Sequence, residues 1–134
     1  LLNSDGQGTF TFSNTIGGSG YYLQTSHRSA LETWSKNPQS FNANGDLSYN
    51  FTTDSAKAYG NNLLKENLKW TVYNGDVIKN GIVELSDVLA VYNDASDFVT
   101  GYVNTDLNGD DLIDLVDILL VYNNSKNFVS TMKP

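Results

Sequence analysis

Residues 76–99 recur at 106–129. With Asp76 set on Asp106, an offset of 30 (106 − 76), Leu85 falls on Leu115, Asp87 on Asp117 and Leu89 on Leu119. Val91-Tyr92-Asn93 falls on Val121-Tyr122-Asn123, and Phe98-Val99 on Phe128-Val129. A short repeat is one supersecondary unit that cannot bury its apolar face alone, so its copies pack on each other. In each copy a polar loop precedes an apolar stretch: Val88, Leu89, Val91 and Tyr92 in the first, Ile118, Leu119, Leu120, Val121 and Tyr122 in the second. That spacing gives a helix a broad apolar face. The repeat therefore predicts two loop–helix units joined face to face.

The second loop runs Asp106-Leu107-Asn108-Gly109-Asp110-Asp111-Leu112-Ile113-Asp114-Leu115-Val116-Asp117. An EF-hand-type loop collects six to eight hard oxygen ligands for calcium from positions 1, 3, 5, 7 (a carbonyl) and 12, with position 9 often acting through water. These positions are Asp106, Asn108, Asp110, the carbonyl of Leu112, Asp117 and Asp114. Every demanded side chain carries oxygen, and Ile113 at position 8 suits the residue that turns to the core. Position 6 is Asp111 where glycine is usual for a left-handed turn, a conformation Asp tolerates better than most residues. Position 12 is Asp, shorter than the usual Glu, so this loop must close differently. Magnesium is a poorer candidate, because it demands a tight octahedron and keeps its waters.

The first loop offers Asp76, Asn80, the carbonyl of Ile82, Glu84 and Asp87 at positions 1, 5, 7, 9 and 12, with Gly81 at position 6. Position 3 is Ile78, which cannot ligate, and Asn80 is neutral. Weaker calcium binding, or closure by hydrogen bonds alone, is expected there.

Ahead of the repeat the chain reads as β. Thr9-Phe10-Thr11-Phe12 alternates, Gly17-Gly18-Ser19-Gly20 is a turn cluster, and Tyr21–Thr25 and Ala30–Ser35 follow as strands. Asn42-Ala43-Asn44-Gly45-Asp46 is another turn, with Leu47–Thr53 and Leu68–Tyr73 as later strands. The expected fold class is α+β: an N-terminal antiparallel β-sandwich over 1–73, its opening strand missing, then the calcium-loop pair over 74–134.

Paired loops with Asp at position 12, each followed by one helix, resemble the type I dockerin module over roughly residues 75–134. The resemblance implies a small calcium-folded module that plugs into cohesin domains and builds extracellular complexes. It carries Asp106, Asn108, Asp110, Leu112 and Asp117 over as ligands, with Asp76, Asn80, Ile82 and Asp87 as a degraded copy. The family's partner-contact positions, often a Ser-Thr pair early in each helix, correspond here to Val88-Leu89 and Ile118-Leu119. Gly8-Thr9-Phe10-Thr11-Phe12 followed by Gly20-Tyr21-Tyr22-Leu23 resembles the prealbumin-like sandwich of carboxypeptidase regulatory-like domains. Together the halves are similar to C-terminal regions of secreted Bacteroidetes-type proteins, which implies a secreted, extracellular or cell-surface bacterial setting.

Composition narrows the function. The 134 residues carry 15 acidic against 8 basic side chains, a net charge of −7. That balance opposes binding to nucleic acid and to anionic lipid, and suits the gathering of hard cations. No cysteine is present, which excludes disulfides, zinc–thiolate sites and cysteine nucleophiles. His27 is the only histidine and has no triad pattern around it; Glu32 and Glu66 make an unconvincing glycosidase pair. A non-enzyme is expected, with a protein partner or self-assembly as its business. Because a sandwich short of one strand exposes an edge, a strand from a neighbour could complete it and propagate a filament. The alternative is a carbohydrate-binding accessory module, with Trp34, Trp70, Tyr21, Tyr22, Tyr49 and Tyr73 as stacking residues for a glycan. Asp54-Ser55-Ala56 matches a short O-glycosylation motif at Ser55.

Overall fold

In a computed structural model the chain is α+β, described at residues 7–14 and 17–134. The expected first module, 1–73, is thus seen from residue 7, residues 15 and 16 excepted. Two antiparallel two-stranded sheets are present: β1 (Gln24–His27) with β2 (Ala30–Trp34), and β3 (Leu64–Glu66) with β4 (Lys69–Thr71). Helices α1 (Leu85–Ser96) and α2 (Leu115–Ser125) follow. Among the described residues Thr9–Phe12 and Leu47–Thr53, read as strands from their alternation, form none, and Tyr21 makes an isolated bridge to Gln39. Alternation marks a strand only where a partner backbone takes up the hydrogen bonds along its length; among the described residues Leu47–Thr53 has one such bond, from the Trp70 amide to the Thr52 carbonyl at 3.0 Å. Their aromatics instead pack edge to face, Phe12 and Tyr21 on Phe41 and Tyr49 on Phe51.

The two helices pack as the repeat requires. Val91 and Val121 are fully buried between them, with Val88, Ala95 and Ile118 against the same core. Those positions advance by three or four residues, which keeps them on one side of each helix. Val83 and Ile113, at position 8 of the two loops, complete the cluster with Val77.

Each repeat is closed by the other. The Val83 amide bonds the Val129 carbonyl at 2.8 Å, and the Ile113 amide the Val99 carbonyl at 3.4 Å. Thr131 to Gly81 and Gly101 to Asp111, both 2.8 Å, extend the two ladders. The segment after α2 therefore pairs with the first loop, and the segment after α1 with the second, so neither unit has its backbone satisfied alone.

The β1–β2 hairpin joins this core. Leu31 is 1% exposed and belongs to the cluster of Val77, Val83, Val91, Ile113 and Val121. Backbone bonds from Leu31 to the Tyr73 carbonyl, 2.9 Å, and from Gly75 to the Ser29 carbonyl, 2.6 Å, seat the hairpin beside the first loop. Gly75 has φ +109, and a Cβ there would lie 2.9 Å from Val83 Cγ1, so only glycine fits the junction.

Candidate metal centre

Both loops make a left-handed turn at position 6, where an EF-hand-type loop has its sharp turn. Positions 4 and 6 are left-handed in each: Lys79 (φ 62) and Gly81 (φ 86) in the first, Gly109 (φ 82) and Asp111 (φ 66) in the second. Asp111 adopts the turn its position demands. The Asx side chains then fold the second loop on itself. Asn108 Oδ1 accepts the Asp110 amide at 2.9 Å, and Asp110 Oδ1 accepts the Leu112 amide at 2.9 Å.

The position-12 carboxylates are the hubs. Asp117 is fully buried; its Oδ1 accepts the Leu107 and Asn108 amides at 2.7 and 3.2 Å, and its Oδ2 the Asp114 amide at 3.0 Å. Asp87 is fully buried in the same way, with Val77 and Ile78 on Oδ1 at 2.9 and 3.0 Å and Glu84 on Oδ2 at 3.0 Å. The bond to position 9 is also one half of a capping box that starts each helix: Glu84 with Asp87 and Asp114 with Asp117. The short Asp is thus explained: it ties positions 2, 3 and 9 together through backbone amides. Helix initiation and loop closure share one carboxylate.

The position-1 carboxylates are buried as well. Asp106 Oδ1 accepts the Gly109 amide at 2.7 Å, and its Oδ2 lies 3.1 Å from an Arg28 nitrogen. Asp76 accepts the Asn80 amide at 3.0 Å and lies 4.0 Å from Lys79 Nζ. Burial raises the Asp76 pKa above its ordinary value, with Asp87 adding to the rise, while Lys79 and the Gly81 and Asn80 amides oppose it.

Asn108, Asp110 and Asp114 are exposed. Asn108 donates its amide to Asp110 Oδ2 at 2.8 Å, and Asp114 Oδ1 accepts the Val116 amide at 2.7 Å. In the first loop Asn80 donates to Glu84 at 3.1 Å, and the Ile82 amide returns to Asn80. Among the described residues no three His, Cys, Asp or Glu side chains are grouped closely enough to hold a metal ion. The donor set itself is all hard oxygen, the type calcium takes. In this arrangement those oxygens are engaged by amides and by Arg28, and an ion would have to exchange for some of them.

Sequence reasoning missed two participants, Arg28 and Lys79. Lys79 stands at loop position 4 and could have been noticed as a cation beside Asp76. Nothing in the sequence links Arg28 to a loop 78 residues away.

The outer faces of the helices are apolar. Leu85, Leu89 and Tyr92 on α1, and Leu115, Leu119 and Tyr122 on α2, are 50–68% exposed at equivalent repeat positions. Phe98 and Phe128, 87% and 71% exposed, sit just beyond each helix with φ 54 and φ 46, a conformation unusual for a bulky residue. Of the aromatics considered for glycan stacking, Trp34 and Trp70 are half-buried, Tyr22 meets Tyr59 edge to face, and Tyr73 packs on the core. Ser55 opens a short 3-10 turn capped by Asp54, whose carboxylate accepts the Ala56 amide. No described helix is long and apolar enough to cross a membrane. Comparisons of the chain with protein-family models, curated proteins and solved structures gave no match.

Proposed function

We propose that this chain is a non-catalytic, calcium-stabilised module of the dockerin-like kind, working outside the cell in protein assembly or surface attachment. One observation carries this reading. Large apolar side chains are exposed at matching positions of both repeats, and two of them, Phe98 and Phe128, are held in a left-handed conformation that favours other residues. Exposed apolar surface contributes nothing to folding, and strain concentrates where a residue has a further task. A protein surface that buries these residues accounts for both.

Asp106, Asn108, Asp110, the Leu112 carbonyl and Asp117 would hold the ion, with Asp114 acting through water. Bound calcium would neutralise carboxylates that otherwise repel and add its binding energy to folding. Asp76, Asn80, Ile82, Glu84 and Asp87 form the weaker site. The second side of β2 is bonded by Tyr73 and Gly75 and that of β4 by Thr52, whereas among the described residues β1 and β3 have a strand neighbour on one side only; those edges suit completion into a sandwich by a neighbour's strand and growth into a filament.

The test combines calcium calorimetry with sedimentation, with and without chelator. Expected are tight binding of one ion, and concentration-dependent association that the double variant Phe98→Asn, Phe128→Asn abolishes. Asn tolerates positive φ, so this variant should unfold at the wild-type urea concentration or above it. A chain that binds no calcium at millimolar metal and stays monomeric at every concentration overturns the proposal.

A further inference from the structure

The tip of the β1–β2 hairpin reaches into both loops. Arg28 lays its guanidinium over Tyr102, 3.8 Å from the ring centroid. Its Nε donates to the Val103 carbonyl at 2.8 Å. One terminal nitrogen donates to the Asp106 carbonyl at 2.8 Å and to Asp106 Oδ2 at 3.1 Å. One side chain thereby fixes residues 102, 103 and 106, the path into the second loop. The planar fork of arginine suits such simultaneous bonding, and lysine could not reproduce it. The Asp106 side chain is completely buried, and a buried charge is costly unless it is paired and hydrogen-bonded.

The first loop answers in the reverse direction. Lys79 Nζ donates to the His27 carbonyl at 2.8 Å and to the Ala30 carbonyl, on either side of the hairpin turn. Each position-1 carboxylate consequently has a cation of the chain's own beside it, Arg28 for Asp106 and Lys79 for Asp76.

We propose that Arg28 is the resident cation of the second loop: the hairpin tip is a latch that keeps Asp106 and its loop closed without a bound ion, and a divalent ion competes with it for Asp106. The latch acts whether or not metal ever binds; only the competition rests on the calcium reading above. A guanidinium and a dication on one carboxylate repel; even with the dielectric of water Coulomb's law at a few ångströms makes this about a tenfold penalty in affinity, and burial of Asp106 increases it.

The experiment is amide hydrogen exchange by NMR on the whole chain in excess chelator. It reads Leu107, Asn108 and Gly109, whose amides bond Asp117 and Asp106. Arg28→Gln should speed their exchange about tenfold or more, the loss of one charged hydrogen bond. Val77 and Ile78, bonded to Asp87 in the first loop, should change less than about twofold. Arg28→Lys should fall between. Equal exchange in wild type and Arg28→Gln overturns the latch, and so does acceleration spread evenly over both loops. If Arg28→Gln does not fold, Tyr102→Ala removes the stacking and leaves the Arg28 hydrogen bonds; it should speed the same three amides about threefold with Val77 and Ile78 unchanged, and equal exchange in both loops overturns the latch. Calcium titration then follows. Binding about tenfold tighter in Arg28→Gln supports the competition, and equal or weaker binding overturns it. No binding by either protein removes the calcium reading and with it the competition, while the latch stands or falls on the exchange data.

Discussion

Leu31→Ala asks whether the N-terminal hairpin and the tandem loops fold as one body. Leu31 is 1% exposed, sits on β2, and packs among Val77, Val83, Val91, Ile113 and Val121 from the loops and helices. Its amide bond to the Tyr73 carbonyl survives the substitution, so the change isolates packing. Truncating a fully buried leucine removes its transfer free energy and leaves a cavity, together about 2–5 kcal/mol. The site is walled by β-branched side chains from four separate segments, which cannot all relax inward, so about 3 kcal/mol is expected. For a chain of this size that is a fall in Tm of about 10 °C. Leu68→Ala is the control: Leu68 is 98% exposed, and its loss should move stability by less than about 0.5 kcal/mol. The assay is urea unfolding followed by tryptophan fluorescence and by far-ultraviolet circular dichroism at fixed calcium. Coincident transitions with a lowered midpoint are expected. Two separate transitions, the later one at the wild-type midpoint, would refute the argument, because the loop–helix pair would then be indifferent to the hairpin.

Asp117→Asn should cost about 2 kcal/mol in chelator, since either amide orientation sets an N–H₂ against a backbone donor. Asp87→Asn should cost about the same, and a neutral effect at both would deny the position-12 carboxylates their role as hubs. Gly75→Ala should cost well over 2 kcal/mol, roughly, because the new Cβ meets Val83 at positive φ, whereas Gly109→Ala faces open space and should cost about 1 kcal/mol; equal urea midpoints would contradict this. The pKa of His27 is lowered by burial, then by Arg28 and Lys79. Its neutral form is therefore the folded one, and its contribution is present above its ordinary value of 6.5 and lost as pH falls through the lowered one. The urea midpoint should fall between pH 7 and pH 5 by more in wild type than in His27→Gln, and parallel profiles would sink the assignment.

The repeat was legible because it is written twice. Equivalent burial at Val91 and Val121 and equivalent loop backbones follow from a pattern whose period the residues carry themselves. The capping boxes were legible in principle from Glu84-x-x-Asp87 and Asp114-x-x-Asp117, but a metal-ligand reading of Asp117 hid its bonds to backbone amides. The N-terminal strands were less readable. Phe10 and Phe12 alternate as a strand should, yet both are more than half exposed, and alternation cannot say whether a pairing partner exists. Arg28 was out of reach altogether, because its value lies in a tertiary contact with Asp106 that no local pattern encodes.

The positions where the two repeats agree and where they differ separate folding from the proposed function. Asp87 with Asp117, Val91 with Val121 and Val83 with Ile113 agree and are buried, and packing explains them without further assumption. Leu89 with Leu119, Tyr92 with Tyr122 and Phe98 with Phe128 also agree, but they are exposed, and folding gives no reason to hold large apolar groups in water twice. The differences that change the candidate ligands fall in the loops. Where the second copy has Asn108, Gly109 and Asp110, the first has Ile78, Lys79 and Asn80, which removes an oxygen donor and a negative charge and brings in a positive one. Lys79 supplies within the first loop the kind of charge that Arg28 supplies to the second from outside. The first loop has thus made its cation part of its own sequence. The second keeps the proposed ligand set intact and borrows its cation from Arg28, so on the calcium reading proposed above ion-dependent behaviour should be sought at Asp106 and not at Asp76.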